Sequence, residues 1–238
     1  MTLKEITTTI LNSLRGGRFT DDEPIHPKQI EFLVNNHRAL LISAYLKGMP
    51  DLSMVDNEVI TQDLGCVPTI QVDKTECDIK SECYITRTTN KIPTPLVVKN
   101  MPALTYVGSI TRDHDIQLIP NARLPWLSFS KYTGKSSYAV YRNRYIYLIN
   151  VDCDEINIRG IFSNPSDLEG YEQVDGIKCY TQNSEYPVPT DYVPIIIREV
   201  LFKEFRVMTA TPRDDKNDSA PTTAAALMAS QRALSNER

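Results

Sequence analysis

The chain has 238 residues, 41% apolar and 24% charged, ordinary proportions for a folded chain in water. Its net charge of −4 excludes a global basic field that would draw in nucleic acid. No run of about 18 apolar residues occurs, which excludes a helical membrane span.

Taken in chain order, Thr2 to Arg15 places Leu3, Ile6, Ile10 and Leu14 on one face of a helix. This segment lacks the unbroken apolar core of a signal peptide, so synthesis and assembly in the cytoplasm are expected. "GGRFTDDEP" then breaks the helix with two glycines, a charge run and a proline. A second helix starts at Pro27, which suits a first turn. It carries the stripe Ile30, Leu33, Val34, His37, Leu41 and Ala44 before the stop at Gly48.

From Asp51 to Pro189 helical stripes give way to short β-rich runs: "ECYITRT", "LTYVGSIT", "SYAVYRNRYIYLIN" and "INIRGIF". The third reads as a hairpin with Arg142, Asn143 and Arg144 at its bend. No segment is long enough for a helical crossover, which predicts a small antiparallel sheet or barrel. A third helix is expected from Asp191 to Met208, with Val193, Ile196, Ile197, Val200, Leu201 and Met208 on its apolar face. A fourth, alanine-rich helix from Thr222 to Ser235 carries only Leu227, Met228 and Leu234 as large apolar residues, and so suits a protruding arm. The fold class expected is α+β: a helical body (1–50 and 190–210), a small inserted antiparallel β-rich region (51–189), and a linker with a docking arm (211–238).

Chemistry is scarce in this pattern. The acids and amides Asp214, Asp215, Asn217 and Asp218 fail as a calcium loop in either register, because Lys216, Ala220 or Ala226 falls on a required position. They read instead as the hinge and N-cap of the arm. Five cysteines without a C-x-x-C argue against a disulfide framework. Cys66, Cys77 and Cys83 lie close in sequence but match no common zinc spacing. No nucleophile elbow, phosphate loop or H-E-x-x-H occurs. Of three histidines, His26 precedes a helix, His37 sits on an apolar face, and His114 lies between carboxylates in "RDHDIQ", best read as a turn. Asp152, Asp154 and Glu155 read as a strand end and bend. No catalytic residue, metal or cofactor is expected. Lys131, Lys135, Arg142 and Arg144 among tyrosines would suit single-stranded nucleic acid. Cross-strand tyrosine pairing with solvated bases is the plainer account.

Four segments, "GRFTDDEPIHPKQIEFLVNNHRALLI", "PWLSFSKYTGKSSYAVYRNRYIYL", "IRGIFSNPSD" and "RDDKNDSA", fall in order along the chain. Together they resemble the head–tail connector, or ring, proteins of crAss-like and related podoviral phages infecting Bacteroidetes. The resemblance implies a virion protein of the phage neck or tail, closed into a dodecameric ring beneath the portal. It further implies other ring and tail proteins as neighbours, packaged DNA passing through the lumen, and no membrane partner. On this reading Leu227, Met228 and Leu234 dock the arm on the portal protein, and the Arg142–Asn143–Arg144 bend meets another partner. The alternatives are a different neck ring or tail hub, a single-stranded nucleic-acid-binding module, and a zinc enzyme built on the cysteines.

Overall fold

The computed structural model describes residues 1–14, 25–49, 58–73, 84–129, 136–173 and 176–205. Three helices belong to this part: α1 (Leu3–Leu14), α2 (Pro27–Lys47) and α3 (Tyr192–Glu199), the last running into a π-helical turn, Val200–Glu204. The arm and its acidic hinge (Leu227, Met228, Leu234, Asp214, Asp215, Asn217, Asp218) lie outside the described residues, as do Cys77, Cys83 and Met208.

The expectation of a helical body with a small β insertion is overturned. The dominant element is a seven-stranded sheet, ordered β5-β9-β1-β2-β8-β7-β6. Its strands are β1 (Gln62–Asp73), β2 (Tyr84–Thr88), β5 (Leu104–Gly108), β6 (Gln117–Leu118), β7 (Tyr138–Arg142), β8 (Tyr145–Ile149) and β9 (Glu155–Gly160). A separate ribbon pairs β3 (Val97–Val98) with β4 (Met101–Pro102). The pairings are antiparallel except β6 with β7, which run parallel.

The sheet all but closes into a barrel. Gly108 at the end of β5 bridges Asp115, and the Ile116 amide donates to the Val107 carbonyl at 2.8 Å, just before β6 joins β7. Closure explains why β-rich runs outweigh the helices: a barrel wall buries one face of every strand and leaves few open edges.

β1 turns the corner of this wall, pairing first with β9 and then with β2. A register shift between Asp63 and Cys66 marks its bulge. Gly65 sits there at φ 66, and a Cβ on it would lie 2.5 Å from the Glu172 carbonyl oxygen, so only glycine fits. The hairpin of β7 and β8 turns at Asn143 and Arg144, both at positive φ (54 and 68), as a two-residue primed turn demands.

Alternation along the strands supplies two cores. Leu64, Val67, Val107, Ala139, Ile146, Leu148, Ile156 and Ile158 fill the interior, closed at one end by Phe162, Leu168 and Tyr180. Tyr138, Val140, Tyr147 and Ile85 face outward and are covered by a 3-10 segment, Asn121–Phe129, through Leu124 and Leu127. A third cluster joins Leu3, Ile6, Ile10, Ile30, Val34, Val193, Ile196 and Val200 across the three helices. The C-terminal half of α2 then rests on the barrel, with Ile42 and Leu46 against Ile60, Leu96, Val98, Ala103 and Ile161.

One local detail differs from the sequence reading, and another adds to it. The buried ridge of α2 is Ile30, Val34, Arg38, Ile42 and Leu46 with His37 alongside, whereas Ala44 is exposed. α1 begins with a reciprocal capping box: the Thr2 amide donates to the Glu5 carboxylate at 2.8 Å, and the Glu5 amide donates to Thr2 Oγ1 at 3.2 Å.

Candidate assembly surfaces

The junction between helices and barrel is held by a buried arginine. Arg38 is fully buried; its Nε donates to the Pro187 carbonyl at 2.7 Å and Nη1 to the Phe162 carbonyl at 2.8 Å. Three chain segments, α2, the exit of β9 and the approach to α3, are thereby fixed to one planar group. Burial pulls its pKa below the usual arginine value, with Tyr186 and Tyr180 acting the other way. The chain of contacts continues through polar side chains. Tyr186 donates to Asn35 Oδ1 at 2.7 Å, and Asn35 donates to Asn164 Oδ1 at 3.1 Å. Asn164 in turn caps a 3-10 turn, Pro165–Gly170, accepting from the Ser166 amide. On the other side of α2, His37 Nε2 meets Glu204 Oε1 at 3.0 Å and ties the π-helical turn to α2. His37 is therefore a satisfied side chain of the helical layer. His26 is the exposed N-cap residue of α2, where its carbonyl, not its ring, accepts the amide of Gln29.

The barrel opens at the end away from Phe162. A cleft of about 430 Å³ lies there, floored by Ile116, Val151 and Ile156 and rimmed by Ser109, Thr111, His114, Asp115, Asp152 and Glu155. "RDHDIQ" is indeed a turn at this rim: the His114 carbonyl accepts from the Ser109 amide at 3.0 Å and from the Tyr106 hydroxyl at 3.1 Å. Asp63, beyond the rim on β1, accepts from Arg112 at 2.7 Å and Asn157 at 2.9 Å. Among the described residues, no three His, Cys, Asp or Glu side chains stand close enough to hold a metal.

The described cysteines are free thiols biased toward the protonated form. Burial and then the carboxylates of Glu155 and Asp63 push Cys66 up. Burial and Asp152 raise Cys153, and burial with Asp63 pushes Cys179 up to about 11. None carries the thiolate character that a nucleophilic cysteine needs near neutral pH.

The bend of the β7–β8 hairpin folds back on the molecule. Arg144 Nε donates to the Ile92 carbonyl at 3.2 Å, while the Ile92 amide donates to the Arg144 carbonyl at 2.8 Å. Asn143 is the exposed corner, and Arg142 is half-buried. Above the same strands, Arg87 lies over the Tyr145 ring at 4.3 Å, and Tyr145 meets Tyr147 edge-on. Tyr145 and Tyr147 both belong to β8, and across the hairpin Tyr138, Tyr141, Tyr145 and Tyr147 face Ile149, Ile146, Arg142 and Val140, so the expected tyrosine–tyrosine pairing across strands is not what the hairpin shows.

Sequence reasoning did not pick out the large apolar side chains that remain exposed. On α2, Phe32 (63%) and Leu40 (66%) stand one helical face away from the buried ridge, and Trp126 (69%) projects from the 3-10 segment. The signal in the sequence was an α2 with apolar residues on two faces, so that no single stripe described it.

Among its described residues the molecule is thus a nearly closed seven-stranded barrel with a helical layer, and large apolar side chains stand on its surface. Residues 5–224 match the family of phage tail ring protein 2 of crAss-like phages, and the chain belongs to that family. It is a structural ring protein of a phage virion, built to assemble with other virion proteins. No curated protein matches it. No helix among the described residues is long and apolar enough to cross a membrane.

Proposed function

We propose that this ring sits in the phage neck beneath the portal, extends the DNA channel toward the tail and joins capsid to tail, without catalysing any reaction. The observation that carries the reading is the family match across residues 5–224, which takes in most of α1, all of α2 and α3, and the whole barrel. A ring made by rotation uses heterologous contacts, in which two different patches of one subunit meet. The barrel, nearly closed and pinned to its helices through Arg38, is a unit suited to such repetition. The net charge of −4 favours sliding over sticking for DNA in a lumen, since phosphate binding draws on lysine and arginine. In this scheme the subunits number twelve, and the arm with Leu227, Met228 and Leu234 reaches the portal.

Electron microscopy of intact particles tests the placement: density for this chain between portal and tail supports it. Density only at a more distal tail ring or in the hub would replace the connector role with another ring position.

A further inference from the structure

We propose that neighbouring subunits of the ring join head to tail by seating Trp126 of one copy on the outward face of α2 of the next, between Phe32 and Leu40. The inference rests on the ring reading and names the contact that the ring would use.

The two surfaces are complementary and separately placed. Leu124 and Leu127, three residues apart, face the sheet from the 3-10 segment, which turns Trp126, one residue off that ridge, away from it. On α2, Phe32, Asn36 and Leu40 follow one another at intervals of four, so they form a single ridge with Asn36 exposed between two apolar side chains. Phe32 and Leu40 are about 12 Å apart along the axis at 1.5 Å per residue, room for one indole between them. This ridge lies about 200° around the helix from Val34, Arg38 and Ile42, and so faces away from the molecule's own core.

Position argues for a second copy as the occupant. A closed ring of many subunits needs two unlike patches on nearly opposite sides of each subunit, whereas a two-fold dimer needs only one. The 3-10 segment covers the wall of β2, β8 and β7, while α2 rests on β3 and on the residues just before β1 and β5 and just after β9. In the strand order β5-β9-β1-β2-β8-β7-β6, β8 is three steps from β9, halfway round a seven-strand circuit. A tryptophan set among residues that exclude water is also the commonest kind of energetic anchor in protein contacts.

The test uses full-length chains carrying Trp126→Ala or the pair Phe32→Glu and Leu40→Glu, all at exposed positions. Unfolding midpoints equal to the wild type's establish that the variants fold. Each variant alone is expected to stay monomeric at concentrations at least about tenfold above those at which the wild type forms rings. Mixed, the two variants should give a cross-linked 1:1 dimer and nothing larger, because the intact seat of the first accepts the intact Trp126 of the second. Rings from either variant alone, or no dimer from the mixture, overturns the Trp126–α2 contact while leaving the ring reading standing. A wild type that stays monomeric at its solubility limit overturns self-assembly of the free chain, and the contact with it.

Discussion

The guanidinium of Arg38 lies over the ring of Tyr186, 5.7 Å from its centroid, and both side chains are sealed from solvent. Among the described residues no carboxylate pairs with it; Nε and Nη1 are met by the Pro187 and Phe162 carbonyls and the group's face by the tyrosine ring, while Nη2 is buried without a hydrogen-bond partner. Arg38→Ala removes two charge-assisted hydrogen bonds and opens a cavity, and is expected to cost about 3–5 kcal/mol. Arg38→Met keeps most of the volume and abolishes a buried charge, so it should cost distinctly less. Urea unfolding of the three proteins measures the order. An alanine variant as stable as the methionine one would mean that the packing around Arg38 does not matter.

Gly65 and Glu172 supply a second case. With φ at 66 and only 2.5 Å between a would-be Cβ and a backbone oxygen, Gly65→Ala must displace the segment after the Pro165–Gly170 turn or unkink β1. A loss of about 2 kcal/mol or more is expected. Gly170, with nothing within 4 Å of its would-be Cβ, is the matched control, and Gly170→Ala should shift the unfolding midpoint little.

Alkali should weaken the fold in two steps. Cys179 ionises at 9.0 ordinarily and about 11 here, and Tyr180 at 10.0 ordinarily and about 12 here, burial being the first cause in both. Both groups are acids whose folded pKa is raised. The unfolded chain therefore gives up their protons first, and stability present below pH 9 falls as pH rises toward 12. For Tyr180, which is fully buried, the loss is on the order of 2 kcal/mol, and it is smaller for the half-buried Cys179. Cys179→Ala should flatten the part between pH 9 and 11 and leave the later fall intact, as read from unfolding midpoints across pH.

Trp126 is the one tryptophan of the chain and is 69% exposed, so intrinsic fluorescence reports a single site. In the free subunit it should be quenched readily by acrylamide. On ring formation the quenching constant should drop several-fold if the indole enters a contact. An unchanged constant in assembled rings would place Trp126 on a free surface.

Deleting residues after Ser219 removes the candidate arm with Leu227, Met228 and Leu234. Pull-down with portal protein should fall at least tenfold while the thermal midpoint holds. Undiminished capture would take the portal-docking role away from the arm.

Local signals were legible wherever a short-range rule acts alone. The bounds of α2 followed from Pro27, its apolar periodicity and Gly48. The β7–β8 hairpin followed from aromatic alternation about Arg142–Asn143–Arg144, although a turn that needs two positive φ values usually announces itself with glycine. β1, the longest strand, escaped because Gly65 and Pro68 interrupt its pattern. Those two residues mark the bulge and the point where β1 changes partner from β9 to β2. Arg38 was unreadable as a core residue, since its burial depends on carbonyls 124 and 149 positions away.

By itself, the amino-acid sequence determined the three described helices, the hairpin and kinship with phage ring proteins, because periodicity, turn chemistry and ordered segments are written in neighbouring residues. Tertiary structure alone decided that the β-rich middle closes into the principal body, and that Phe32, Leu40 and Trp126 stay outside it. Closure depends on pairings between distant strands, and whether an apolar side chain is covered depends on what the rest of the chain lays against it.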